Sequence, residues 1–116
     1  MDWITGIQRA LDYTEEHLTE EIAYEAVAKQ AYSSSFHFQR VFGILCGFSL
    51  GDYIRMRRLS LAGEELSKGY VRIIDIAMKY GCDTPESFSR AFTRFHGISP
   101  SEAKLGGNVK IFTPCS

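Results

Sequence analysis

The chain has 116 residues, 45 % of them hydrophobic and 23 % charged, with a net charge of −1 at pH 7, which suits one soluble domain built of two small halves around a modest core. No apolar run approaches the roughly 18 uninterrupted residues of a membrane span, and Met1-Asp2-Trp3 does not open a signal peptide, so a cytoplasmic protein is expected. Cys46, Cys82 and Cys115 are odd in number, widely spaced and free of any C-x-x-C pair, which argues against a disulfide framework and a zinc knuckle.

The near-neutral total hides a gradient. Residues 1–30 hold seven acidic side chains against two basic, residues 31–60 one against four, and residues 61–116 six against seven. The whole chain therefore lacks the isoelectric point above roughly 9 typical of nucleic-acid domains, while a local basic patch is compatible with it.

Every strong signal along the chain is helical. Trp3, Ile7, Ala10, Leu11, Thr14 and Leu18 recur at three- and four-residue steps and predict an amphipathic helix with an acidic outer face. A short helix follows over about 24–31, and another over about 34–45 with Phe38, Val41, Phe42 and Leu45 turned inward, stopped by Gly47. Ser49-Leu50-Gly51-Asp52 has the serine and the acid of a helix start, opening a long helix over about 50–68 that keeps Leu59, Ala62 and Leu66 on one side.

The second half repeats the plan. Ile73, Ile74, Ala77, Met78 and Tyr80 mark a short apolar helix broken at Gly81, a residue suited to a left-handed turn. Thr84-Pro85-Glu86 supplies an N-cap, a proline at the first helical position and an acid at the positive end of the next helix. That helix carries Phe88, Ala91, Phe92 and Phe95 inward and halts at Gly97. Ser99-Pro100-Ser101-Glu102 reads as a capping box for a last short helix, Gly106-Gly107 closes it, and Val109-Lys110-Ile111 hints at a strand.

The expected fold is thus all-α, about seven helices: a first helix-turn-helix subdomain over 1–49, a linker helix over 50–69, a second subdomain over 70–106 and a tail over 107–116. The repeat is explicit, since F-x-R-x-F-x4-G-x-S occurs at Phe38–Ser49 and again at Phe88–Ser99. Its phenylalanines, at i and i+4, are core. Opposite them, the first unit shows Phe36, Gln39, Arg40 and Gly43, and the second Glu86, Ser89, Arg90 and Thr93.

Such faces suit the major groove of double-stranded DNA. Arginine bonds two acceptors of guanine, glutamine pairs likewise with adenine, a carboxylate accepts from cytosine, and an exposed aromatic rests on thymine methyls. Phe36, Gln39, Arg40, Glu86, Ser89 and Arg90 are the candidate base contacts. Arg55, Arg57, Arg58, Lys79, Arg94 and Thr93, with the helix-start hydroxyls Ser35 and Thr84, are candidate phosphate contacts. A linker of about nineteen residues spans roughly 28 Å, fitting two recognition helices held about one turn of B-DNA apart, roughly 34 Å.

With these residues in place, the ordered series AKQAYS, FQRVF, GFSLGDYIRMRRLSLA, IAMKYG and FSRAFTRFHGISP resembles the DNA-binding domain of the AraC/XylS transcription regulators over about residues 3–105. The resemblance implies two helix-turn-helix units on a shared linker helix, binding DNA as a monomer or weak dimer and usually activating transcription through RNA polymerase. By position it carries base-contact roles onto the same six residues. The chain departs from the family's usual pattern at Cys82, where an aromatic is common, and at Ala103-Lys104, where Tyr-Arg is common.

Two readings of the ends stay open: a short stand-alone activator, or the front of a longer regulator. The strand-like tail favours the second, with any small-molecule effector acting through a domain absent from this chain. The competing function is a helical protein-binding module, which would be insensitive to salt where DNA binding is not. Catalysis is not expected: His17, His37 and His96 are not spaced as metal ligands, no nucleophile and base pair is evident, and no glycine-rich loop cradles phosphate. No cofactor is expected.

Overall fold

The computed structural model describes residues 2–82 and 84–110. Among these it has seven helices: α1 (Trp3–Glu16), α2 (Tyr24–Lys29), α3 (Ser35–Cys46), α4 (Leu50–Ser67), α5 (Ile73–Lys79), α6 (Pro85–His96) and α7 (Pro100–Lys104). The chain divides into two compact units between Ile54 and Arg55, inside α4.

Short polar side chains cap α1, α3 and α4, as the local sequence demands, whereas α2 begins at Ala23 with no side-chain cap. Asp2 Oδ1 accepts from Thr5 N at 2.7 Å to start α1, Ser34 Oγ accepts from His37 N at 3.2 Å to start α3, and Ser49 Oγ accepts from Asp52 N at 3.0 Å at the head of α4. Helix α1 buries Ile7, Ala10, Leu11 and Thr14, and Leu18 is buried just beyond its end. An aromatic series ties the unit together. Trp3 lies 6.4 Å from Phe38, Phe38 5.9 Å from Phe42, and Phe42 5.9 Å from both Phe48 and Tyr53 between ring centroids.

The inner face expected for α3 needs one correction. Phe38 and Phe42 are fully buried, but Leu45 is 53 % exposed. At the last turn of this helix the inward-leaning position is taken instead by half-buried Cys46.

The second unit is built around Leu59, Ala62, Leu66, Ile76, Ala77, Tyr80, Phe88, Phe92 and Ala103. Burying each large apolar side chain of such a set contributes about 1.5–3 kcal/mol, which offsets the cost of ordering the short helices that carry them. Thr84 Oγ1 accepts from Ser87 N at 3.1 Å and so caps α6. Ser99 and Glu102 form the expected capping box of α7, each side chain bonded to the other's backbone N–H, and the Ser99 donors hold the Glu102 carboxyl below its usual range.

Helix α4 serves both cores with different faces. Leu50, Tyr53 and Ile54 are buried in its first turns and Leu59, Ala62 and Leu66 later; at 100° per residue these two sets do not share one stripe. The strand hinted at Val109–Ile111 is not seen over its described part. Lys110 N instead donates to His96 Nδ1 at 2.9 Å, while Ile111 and the rest of the tail, with Cys115, lie outside the described residues.

Candidate nucleic-acid interface

Each unit contains two short helices joined by a tight turn, α2 to α3 and α5 to α6. The turns share one mechanism. Ser33 N donates to Ala28 O at 3.1 Å and Tyr32 N to Lys29 O at 3.0 Å; Cys82 N donates to Ala77 O at 2.9 Å and Gly81 N to Met78 O at 3.1 Å. These are the paired C-terminal bonds that end a helix on a left-handed residue. That residue is Tyr32 (φ 54°) in the first unit and Gly81 (φ 80°) in the second. Helices α2 and α5 are therefore related by 49 positions and α3 and α6 by 50, because the second turn holds one more residue before its cap.

The candidate recognition helices follow these turns. On α3, Phe36 is 77 % exposed and Arg40 is exposed, while Phe38 and Phe42 are fully buried on the other side. Gln39 is half-buried, and its Nε2 donates to Ser35 Oγ at 3.0 Å, so a candidate base contact and a candidate phosphate contact are joined. Ser35 is the first residue of α3 rather than its cap, which is Ser34. Ile44, 74 % exposed, extends the outward face and lies outside the sequence-based candidates; a run of mixed apolar residues at 41–46 gives no signal of which ones leave the core.

On α6, Glu86, Arg90, Thr93 and Arg94 are exposed and Ser89 is half-buried. Glu86, Arg90 and Thr93 fall at i, i+4 and i+7, one stripe along the helix. Among the described residues, neither Arg40, Arg90 nor Arg94 has an ion-pair or hydrogen-bond partner. Their guanidinium groups are thus available to a ligand without breaking an internal bond. Thr84 Oγ1, engaged as an acceptor by the cap, keeps its hydroxyl proton to donate.

The remaining candidate phosphate contacts differ in standing. Arg55 is exposed, and with Arg94 it borders a hollow of about 320 Å³ in the second unit, floored by Met56, Leu59, Ala91 and Phe95. Arg57 and Arg58 are half-buried, and all three of Arg55, Arg57 and Arg58 have interactions within the protein, Arg58 approaching Gly81. Lys79 is not presented to solvent as a lone charge: its Nζ bonds Glu65 Oε1 at 2.8 Å and sits 5.6 Å from the centre of the Tyr80 ring. Tyr80 Oη also donates to Glu65. Burial raises the Glu65 carboxyl, but the bonds from Lys79 and Tyr80 outweigh it and hold the group below its usual range; burial and the same carboxylate push the Tyr80 phenol up.

His96, a poor metal ligand by its spacing, proves to be a buried joint. It is 4 % exposed. Nδ1 accepts from Lys110 N, so the proton sits on Nε2, which donates to Leu59 O at 2.7 Å. Burial, with the Lys110 charge, lowers its pKa against the pull of the Leu59 carbonyl. Gly63 is required opposite, since a Cβ there would lie 2.7 Å from His96 Cε1. Among the described residues no group of three or more His, Cys, Asp or Glu side chains is placed to hold a metal ion, and no helix is long and apolar enough to cross a membrane.

A paired helix-turn-helix scaffold, each unit presenting a helix with an uncommitted arginine, defines a DNA-binding class of protein. The Helix-turn-helix domain family matches residues 27–105, and the chain belongs to the AraC/XylS family of transcription regulators. It is similar to the HTH-type transcriptional activator AarP of Providencia stuartii, 38 % identical over 99 residues, covering 85 % of this chain and 73 % of that one. It is likewise similar to the regulatory protein SoxS of Escherichia coli (strain K12), 38 % identical over 96 residues, covering 83 % and 90 %. Among solved structures, the DNA-binding domain of AdpA in complex with a target DNA matches with a TM-score of 0.76 at 25 % identity, covering 86 % and 90 %.

Proposed function

We propose that this chain binds double-stranded DNA at an asymmetric site, reading bases with α3 in one major groove and α6 in the next, and thereby activates transcription. The observation that carries the reading is the twin placement of Arg40 and Arg90, exposed at the same position of the repeated motif and, among the described residues, without internal partners. Phe36, Gln39 and Arg40 read one half-site; Glu86, Ser89 and Arg90 read the other. Ser35, Arg55, Thr84, Thr93 and Arg94 contact phosphates and set the register. Lys79, bonded to Glu65, and Arg57 and Arg58, half-buried, are secondary members of that phosphate-contact set.

Half-sites about ten base pairs apart are part of the proposal, since that is the repeat at which successive major grooves face the same side of B-DNA. The activating role rests on the name of AarP, and contact with RNA polymerase is part of the proposal. Arg40→Ala and Arg90→Ala should each cost about 1–3 kcal/mol of affinity for a selected duplex at fixed salt and relax preference at one base position. If both variants bind the duplex as tightly as the unaltered chain, the base-reading assignment is wrong.

A further inference from the structure

Gly43 lies inside α3, one helical turn beyond Gln39 and Arg40 on the outward stripe. Glycine in a helix interior is unfavourable because it loses the most backbone freedom on ordering and buries no side chain. A close approach of the backbone to a ligand is one physical reason for a missing Cβ. Gly51 and Gly63, also helical, are explained by the protein itself: a Cβ would lie 2.7 Å from Tyr24 Oη at the first and 2.7 Å from His96 Cε1 at the second. At Gly43 a Cβ meets nothing within 4 Å, and its φ is not positive. Neither packing nor backbone conformation asks for glycine there.

We propose that Gly43 is a close-approach position for DNA, a specificity-determining residue of the first unit. This rests on the DNA-binding reading above. The side chains around it support the assignment: Phe36 and Ile44, 77 % and 74 % exposed, flank the same stretch of surface as Arg40, and an exposed apolar pair beside a bare backbone suits contact with the methyl-bearing wall of a major groove. At the corresponding place of the repeat the second unit carries Thr93, exposed on α6.

The test compares Gly43→Ala, Gly43→Leu and the unaltered chain on two duplexes of equal length at one salt concentration, a selected site and an unrelated sequence, alongside thermal unfolding. Alanine favours the helix, so Gly43→Ala should unfold a few degrees higher, about 3–6 °C. It should bind the selected duplex about tenfold more weakly with affinity for the unrelated duplex nearly unchanged, since non-specific binding comes from phosphate charge alone; Gly43→Leu should lose more. Equal affinity of Gly43→Ala and the unaltered chain for the selected duplex overturns the inference, as does a lower unfolding temperature, which would make Gly43 a folding requirement. An unaltered chain that does not distinguish the two duplexes overturns the DNA-reading proposal itself.

Discussion

The two halves of this protein are copies that differ in what they were built to tolerate. In both, a pair of phenylalanines one turn apart is fully buried and an arginine between them faces out. The first unit is closed by an aromatic series from Trp3 to Tyr53, ends its first motif helix on Tyr32 in the left-handed region, and exposes Phe36 and Ile44. The second has Gly81 at that turn, places buried His96 at the foot of its recognition helix, and exposes Glu86, Arg90, Thr93 and Arg94. The scaffold is repeated and the outward surface is not: one reading helix is largely apolar around its arginine, the other polar and charged.

The largest expected effect tests the shared part. Phe42→Ala and Phe92→Ala should each cost about 3–5 kcal/mol, and hydrogen exchange should show protection lost first in the helices of the unit that was altered. Equal loss in both units after either change would mean that the halves do not have separate cores.

Next comes the joint that only the second unit has. His96→Ala leaves the Lys110 N–H without its acceptor and removes the second bond to the Leu59 carbonyl, a loss of about 1–3 kcal/mol by chemical denaturation. Its titration gives a second handle. A histidine held neutral in the fold, with its pKa below the ordinary 6.5, binds protons more readily once unfolded. Stability of the second unit should therefore be constant above about pH 6.5 and fall as pH drops from there through the folded value. His96→Ala should abolish that pH step. Below the range of a free carboxylate, protonation of Glu65 removes a further contribution, because its folded pKa is lowered and its bonds to Lys79 and Tyr80 need the anion.

The smallest effect probes the turns. A non-glycine residue in the left-handed region costs roughly 1–2 kcal/mol, so Tyr32→Gly should relieve strain. It also removes the ring stacked under Arg9, 5.5 Å from its centre, and the net change should lie within about 1 kcal/mol. Gly81→Ala has no such offset and should destabilise by about 1 kcal/mol. Thermal unfolding of the two variants separates them, and a loss at Tyr32→Gly as large as at Gly81→Ala would show that the Arg9 contact dominates the first turn.

Much of this was legible in sequence because short-range rules set it. The caps at Thr84 and Ser99, the stops at Gly47 and Gly97 and the inward phenylalanines all follow from local chemistry and helical period. What sequence concealed depends on distant partners. His96 becomes a joint only when Leu59 and Lys110 meet it and Gly63 makes room; Lys79 is drawn to Glu65 across 14 positions; Leu45, apolar and in register with the core, is 53 % exposed. The outward stripes were readable as surfaces, since Phe36, Arg40, Glu86 and Arg90 are exposed as expected. The pairing of Gln39 with Ser35 and the empty space over Gly43 required coordinates.

The most direct test of paired reading is selection from a random duplex pool with the purified chain, followed by the same selection with Arg40→Ala and Arg90→Ala. Paired reading predicts one enriched site made of two unlike half-sites about ten base pairs apart, with each variant blurring a different half. No enrichment, or a single half-site that both variants blur alike, would contradict it.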